Sequence, residues 1–180
     1  MSSSHLEPSR ELIDSALETL RQGEALLGGI SDELYTRRVP AAFNATIGGH
    51  YRHCLDHFRS LLNAADSGEL NYDHRERSPL IERDRFAALT ETRELCEGYA
   101  RLNTAVLRRG FNVTCKTSYS AAGSQVAPST VGREIMYSVA HAVHHYALIG
   151  VMAAILQHEL PPEFGIAPST LKHQREAAAA

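Results

Sequence analysis

Two histidines, His141 and His145, stand four residues apart in Ser138-Val-Ala-His-Ala-Val-His-His-Tyr146, inside a long apolar segment. Three more, His50, His53 and His57, cluster far upstream. On a helix, residues at i and i+4 lie one turn apart on the same face, so the imidazoles of His141 and His145 converge on one point. A third ligand from another helix would complete a facial metal site. Neutral imidazole suits zinc, nickel, copper and iron, and three protein ligands with the remaining positions open is the pattern of a reactive site, whereas a structural ion is usually enclosed. A lone histidine is more often a packed or surface side chain than a ligand, but two clusters on two helices of one bundle shift the balance toward metal. His144 falls about 100° round the helix from its neighbours and is expected at the surface or an interface.

The elements that would carry these residues are legible from periodicity. From Ser9 to about Leu27, Leu12, Ile13, Ala16, Leu17, Leu20 and Leu27 recur at helical spacing, and Gly28-Gly29 ends the run. The stretch to Ala45 reads as a connection with a short helical turn after Ser31. Thr46 is placed to N-cap a second helix, whose stripe is Ile47, Tyr51, Cys54, Leu55, Phe58, Leu61, Leu62 and Ala65, stopped at Asp66-Ser67-Gly68. Residues 70–79 are polar and read as a loop. Asp84 opens a third helix with a stripe reaching Val106, and Gly110 closes it. Between Asn112 and Pro128, Val113–Tyr119 favours strand and Ala122-Gly123-Ser124 favours a turn, so a small β-hairpin is expected between helices three and four. Thr130 opens the fourth helix, to about His158, apolar nearly all round, which predicts deep burial or a subunit interface. The reading is all-α: a four-helix bundle over residues 9–160 with a tail at 161–180.

On the wheel of the second helix, His50 sits near the edge of the apolar stripe and His53 farther from it, so spacing alone slightly favours His50 as the third ligand. Asp56 and His57 lie within a turn of His53 and could orient a ligand or move a proton, or belong to an ordinary polar face. Cys54 points onto the stripe and is expected to be a core thiol. Tyr72, Asp73, His74 and Arg75 bring anion-binding and proton-transferring groups together, although a solvated loop with internal ion pairs is the simpler expectation.

Composition narrows the classes. A chain of 180 residues with 43% hydrophobic residues is long enough for one domain with its own core. A formal net charge of -3 without a dense Lys/Arg block provides no footprint for nucleic acid. The first eight residues lack a basic and an apolar leader region, and no apolar stretch is expected to span a bilayer. The three cysteines, Cys54, Cys96 and Cys115, are odd in number and widely spaced, as suits reduced thiols. These features predict a cytoplasmic protein with no membrane association.

Thr46-Ile-Gly-Gly-His-Tyr-Arg-His53-Cys-Leu-Asp56, together with His141-Ala-Val-His-His145, resembles the second-helix and fourth-helix motifs of the DinB/YfiT-like superfamily of metal-dependent four-helix-bundle proteins. In that family a Ser/Thr-Ile start is followed seven residues later by a ligand histidine and soon after by an acidic residue. Counted from Thr46, this position is His53, so the resemblance implies a metal triad of His53, His141 and His145, with His50 as the alternative. The chain departs from the family pattern in having Tyr146-Ala147-Leu148 where Arg-Gly-Gln often follows the second histidine, and in having no tryptophan.

The resemblance implies a divalent metal, zinc, nickel or iron, and a thiol S-transferase using a low-molecular-weight thiol against a small-molecule electrophile in a stress or detoxification setting. Hydrolysis is the nearest enzymatic alternative, and a non-catalytic metal-binding or regulatory bundle is the alternative outside enzymes. Ala140, Ala147, Gly150, Ala153 and Ala154 permit close helix approach, so the surplus apolar surface of the fourth helix predicts a homodimer. Light scattering on a size-exclusion column should report a dimer; only monomer at micromolar concentration would contradict it.

Overall fold

The computed structural model describes residues 10–179. Its long helices are α1 (Glu11–Gly29), α3 (Ile47–Ser67), α5 (Arg85–Ala100) and α6 (Val131–Ile155), with short α2 (Asp32–Thr36) and α4 (Pro79–Arg83) in the connections and α7 (Pro168–Ala178) at the end. Ser9, the expected first helical residue, lies outside the described residues. The bundle forms because α3 packs on α6 and α5 while α1 packs on α5 and α6.

Three of the four long helices begin where a side chain satisfies an orphan backbone donor. Thr46 accepts from the Gly49 N–H, Asp84 from those of Phe86 and Ala87, and Thr130 from that of Arg133. Such caps each stabilise a helix by about 1 kcal/mol. The Thr46 and Thr130 caps fix the starts of α3 and α6, the two helices that carry the seam histidines.

Without tryptophan, the core is built on tyrosines. Tyr35, Tyr51, Tyr99 and Tyr146 are fully buried, and each hydroxyl reaches a partner: Ile81 O at 2.8 Å, Thr92 Oγ1 at 2.8 Å, Phe58 O at 3.0 Å and Thr19 O at 3.2 Å respectively. Buried hydroxyls would otherwise be costly. Gly23 on α1 makes room for two of them, since a Cβ there would run into the hydroxyls of Tyr51 and Tyr146. The Tyr146-Ala147 departure from the family pattern therefore has a packing role. The Tyr146 ring also stacks on Phe164, at 4.9 Å and 15°. Gly165, at φ 71°, lets the chain pass against the Tyr146–Ala147 backbone.

The expected hairpin is present as β2 (Gly110–Cys115) and β3 (Gln125–Thr130), paired antiparallel with Val113 opposite Ala127. Several expectations need correction. Residues 70–79 are not all loop, because β1 (Glu69–Asn71) adds to the hairpin in parallel with Leu70 opposite Val113. The third helix ends at Ala100, short of Val106; Asn103 then caps a separate 3-10 turn, Thr104–Arg108. Within residues 161–180, Pro168 is the first residue of α7. α6, by length and composition, is apolar enough to cross a membrane, contrary to the expectation that no stretch is. Its inner face, including Ile135, Ser138, Ala142, Tyr146 and Ile149, is buried in the bundle, while Met136, Val151 and Ile155 are exposed.

Candidate metal centre

α3 and α6 run antiparallel along one seam, and both histidine clusters face it. His50 meets His145 with Nδ1 atoms 2.9 Å apart, and His53 meets His141 with Nε2 atoms 2.9 Å apart. Farther along, the His57 ring lies 4.9 Å from that of His53 and 4.3 Å from that of His141. One ring nitrogen from each of His53, His141 and His145 falls within 4.8 Å of the others, a three-histidine cluster that could hold a metal ion. His144 is exposed, with its ring 5.5 Å from that of His145 in an edge contact, and Cys54 is buried.

So many imidazoles share the seam because none needs to be charged. Burial lowers the pKa of His53 to about 3 and of His145 to about 4, with mutual repulsion among the histidines adding to it. His57, His50 and His141 are also shifted down, again chiefly by burial. Neutral imidazole has the lone pair that a metal requires. Each 2.9 Å nitrogen pair is satisfied when one ring donates its N–H and the other accepts.

Around the histidines is a polar and aromatic shell. Asp56 is buried and accepts from Arg52 at 2.6 Å, and Arg52 also reaches Glu82 at 3.2 Å. Burial pushes the Asp56 carboxyl up to about 6, with Arg52 opposing the shift. His57 is buried with Nδ1 left without a hydrogen-bond partner. At one end of the seam, a cleft of about 330 Å³ is lined by His50, His53 and His145 together with Arg38, Arg52 and Glu82. At the other end, Tyr137 stacks on His141 at 5.6 Å and 19°, and Tyr72 lies 4.7 Å from His57. Tyr72 donates to buried Glu134 at 2.8 Å, which also accepts from Ser129 at 2.6 Å.

Tyr137 and Arg52 were not legible as site residues. Tyr137 had a signal: it precedes His141 by four, extending the i,i+4 row to three members. In the Tyr72–Arg75 segment, Asp73 accepts from Lys116 N and Ser124 Oγ, as an internally bonded loop would. Tyr72, by contrast, is buried against His57.

A family model described as the DinB superfamily matches residues 15–149, from α1 through all five seam histidines. The chain belongs to the DinB superfamily. Its fold is similar to that of a DinB-like protein, YjoA, of Bacillus subtilis, with a TM-score of 0.61 and 18% identity over 84% of this chain and 95% of that one. It is also 34% identical over 104 residues to FK506-binding protein 5 of Rhizopus delemar, which is 58% of this chain and 27% of that protein. The chain thus spans about a quarter of the length of that relative.

The pKa shifts imply an acid-sensitive metal-free fold. Imidazoles of the unfolded chain titrate near 6.5, whereas those of His53, His57 and His145 stay neutral to much lower pH when folded. Below 6.5 the unfolded chain therefore binds more protons, so stability is fully present above that pH and is lost as pH falls toward the folded values. Asp56 works in the opposite sense between about 6 and 3.8, but one carboxyl is outweighed by three imidazoles. Urea denaturation of chelator-treated protein should give a lower midpoint at about pH 5 than at about pH 7.5. An equal or higher midpoint at the lower pH would contradict the assignment.

Proposed function

We propose that this DinB-superfamily chain is a metal-dependent enzyme that holds a divalent cation on His53, His141 and His145 and transfers a low-molecular-weight thiol to a small electrophilic substrate. The observation that carries the reading is the convergence of three ring nitrogens within 4.8 Å on two rigid helices. The donor set fits. Ligand nitrogens about 2.0–2.1 Å from a zinc ion stand roughly 3 Å apart, so small side-chain adjustments would suffice, and the rings are already neutral. Zinc, nickel and iron all suit such a set.

A divalent ion bound there supplies Lewis acidity that lowers the pKa of a thiol or water. The chain's own groups then divide the remaining tasks. If His145 donates its Nδ1–H to His50 Nδ1, its Nε2 lone pair is freed for the cluster, which makes His50 a positioning residue rather than a ligand. His57, buried beside His53 and His141 with its Nδ1 unpartnered, stays neutral and helps hold those two rings in place. Asp56, tied to Arg52, fixes the α3 side of the site.

The choice of thiol over water rests on the carboxylates. Asp56 is engaged by Arg52, and Glu134 by Tyr72 and Ser129, so neither is free to act as a strong base on water. A thiol with an ordinary pKa of about 8.5 needs less assistance. A cytoplasmic setting accords with this chemistry, since Cys54, Cys96 and Cys115 are all free.

Elemental analysis of protein prepared without chelator or affinity-tag metal should find about one equivalent of divalent metal per chain. His53→Ala, His141→Ala and His145→Ala should each lower the affinity at least about tenfold, with a smaller effect for His50→Ala. With glutathione or another small thiol and 1-chloro-2,4-dinitrobenzene, a metal-dependent rate should vanish in His141→Ala. No bound ion in the wild type would sink the reading. Metal that raises the melting temperature while no thiol–electrophile pair is turned over would favour a non-catalytic bundle.

A further inference from the structure

A second cavity, of about 470 Å³, lies between the hairpin and the first turns of α6, beyond the end of the histidine seam. Its size falls within the range of small-molecule sites. It is lined from the hairpin by the cross-strand pair Val113 and Ala127 and from α6 by Tyr137. The guanidinium of Arg133 lies at this ring, 5.8 Å from its centroid, with the side chain 59% exposed.

The polar groups of the cavity are unevenly committed. Glu134 is the one carboxylate among the described lining residues, and each of its oxygens already accepts a hydrogen bond, from Tyr72 and from Ser129. Thr117 donates both its N–H and its hydroxyl to Gln125. Arg133 is only loosely paired, with Nη1 3.7 Å from Glu134 Oε1, beyond hydrogen-bonding distance. Arg75 adds positive potential at Tyr137 and Cys115. An apolar slot with one flat aromatic wall and an under-used guanidinium selects a flat apolar body carrying a negative charge.

We propose that this cavity is a binding site for a small planar aromatic anion, its ring lying between Tyr137 and the Val113–Ala127 pair and its acid group on Arg133. The site stands on its own geometry and does not require metal at the histidines. Because Tyr137 stacks on His141, the bound ligand sits one aromatic ring away from the candidate metal centre.

The probe pair is 1-anilinonaphthalene-8-sulfonate and its neutral analogue N-phenyl-1-naphthylamine, titrated by fluorescence into the full chain. The sulfonate should saturate at one site per chain. Arg133→Gln should weaken the sulfonate about tenfold and the neutral dye about twofold at most, and Ala127→Trp, at an exposed position, should abolish both. Sulfonate binding unaffected by either substitution, or equal losses of both dyes in Arg133→Gln, would overturn the proposal. Methyl NMR of the wild type provides a check that does not depend on a variant folding. Sulfonate-induced shifts at Val113 and Ala127 support the site, and shifts confined to Leu148, Val151 and Ile155 on the exposed face of α6 overturn it.

Discussion

The seam between α3 and α6 must hold five imidazoles without charging any of them. Burial raises the cost of each protonated ring, and every neighbouring histidine raises it further. The rings are therefore held neutral, and in the His50–His145 and His53–His141 pairs an N–H of one ring meets the lone pair of the other unless a shared cation takes that lone pair. Much of the surrounding structure serves this condition. The Thr46 and Thr130 caps fix the starts of the two helices. The buried tyrosines hold the helices together without bringing a charged group into the seam, and Gly23 lets α1 close over two of them.

The two ends of the seam differ in chemistry. One opens into a cleft carrying His50, His53 and His145 with Arg38 and Arg52. The other is closed by Tyr137 and Tyr72, behind which the hairpin cavity lies. The small sheet thus has a definite role: β1 and β2 help hold Tyr72 against His57, and Val113 and Ala127 line the hairpin cavity. Membership of the DinB superfamily accounts for the bundle. The hairpin cavity and the Tyr146 packing come from this chain's own residues.

What could be read beforehand follows how local each interaction is. The i,i+4 spacing of His141 and His145, the helix caps and the inward Cys54 are fixed by neighbours within a turn, so periodicity finds them. The meeting of His53 with His141 depends on how two helices 88 residues apart in sequence pack, and a helical wheel for one helix alone favoured His50. β1 exists only because β2 lies beside it, since its three residues have no strand pattern of their own. Residues 161–180 read as a tail, although Pro168 within them, as a proline at the first helical position, is also a start signal. Tyr137 is hard to read as a site residue because an aromatic at helical spacing looks like ordinary core.

The central claim is that His53, His141 and His145 jointly bind one divalent ion. X-ray absorption spectroscopy of the metal-loaded protein tests it most directly. The expected spectrum has three imidazole nitrogens at about 2.0–2.1 Å for zinc, with the outer-shell scattering typical of histidine rings and a loss of one ring's contribution in His141→Ala. A first shell without imidazole scattering, or a spectrum unchanged by that substitution, would contradict it.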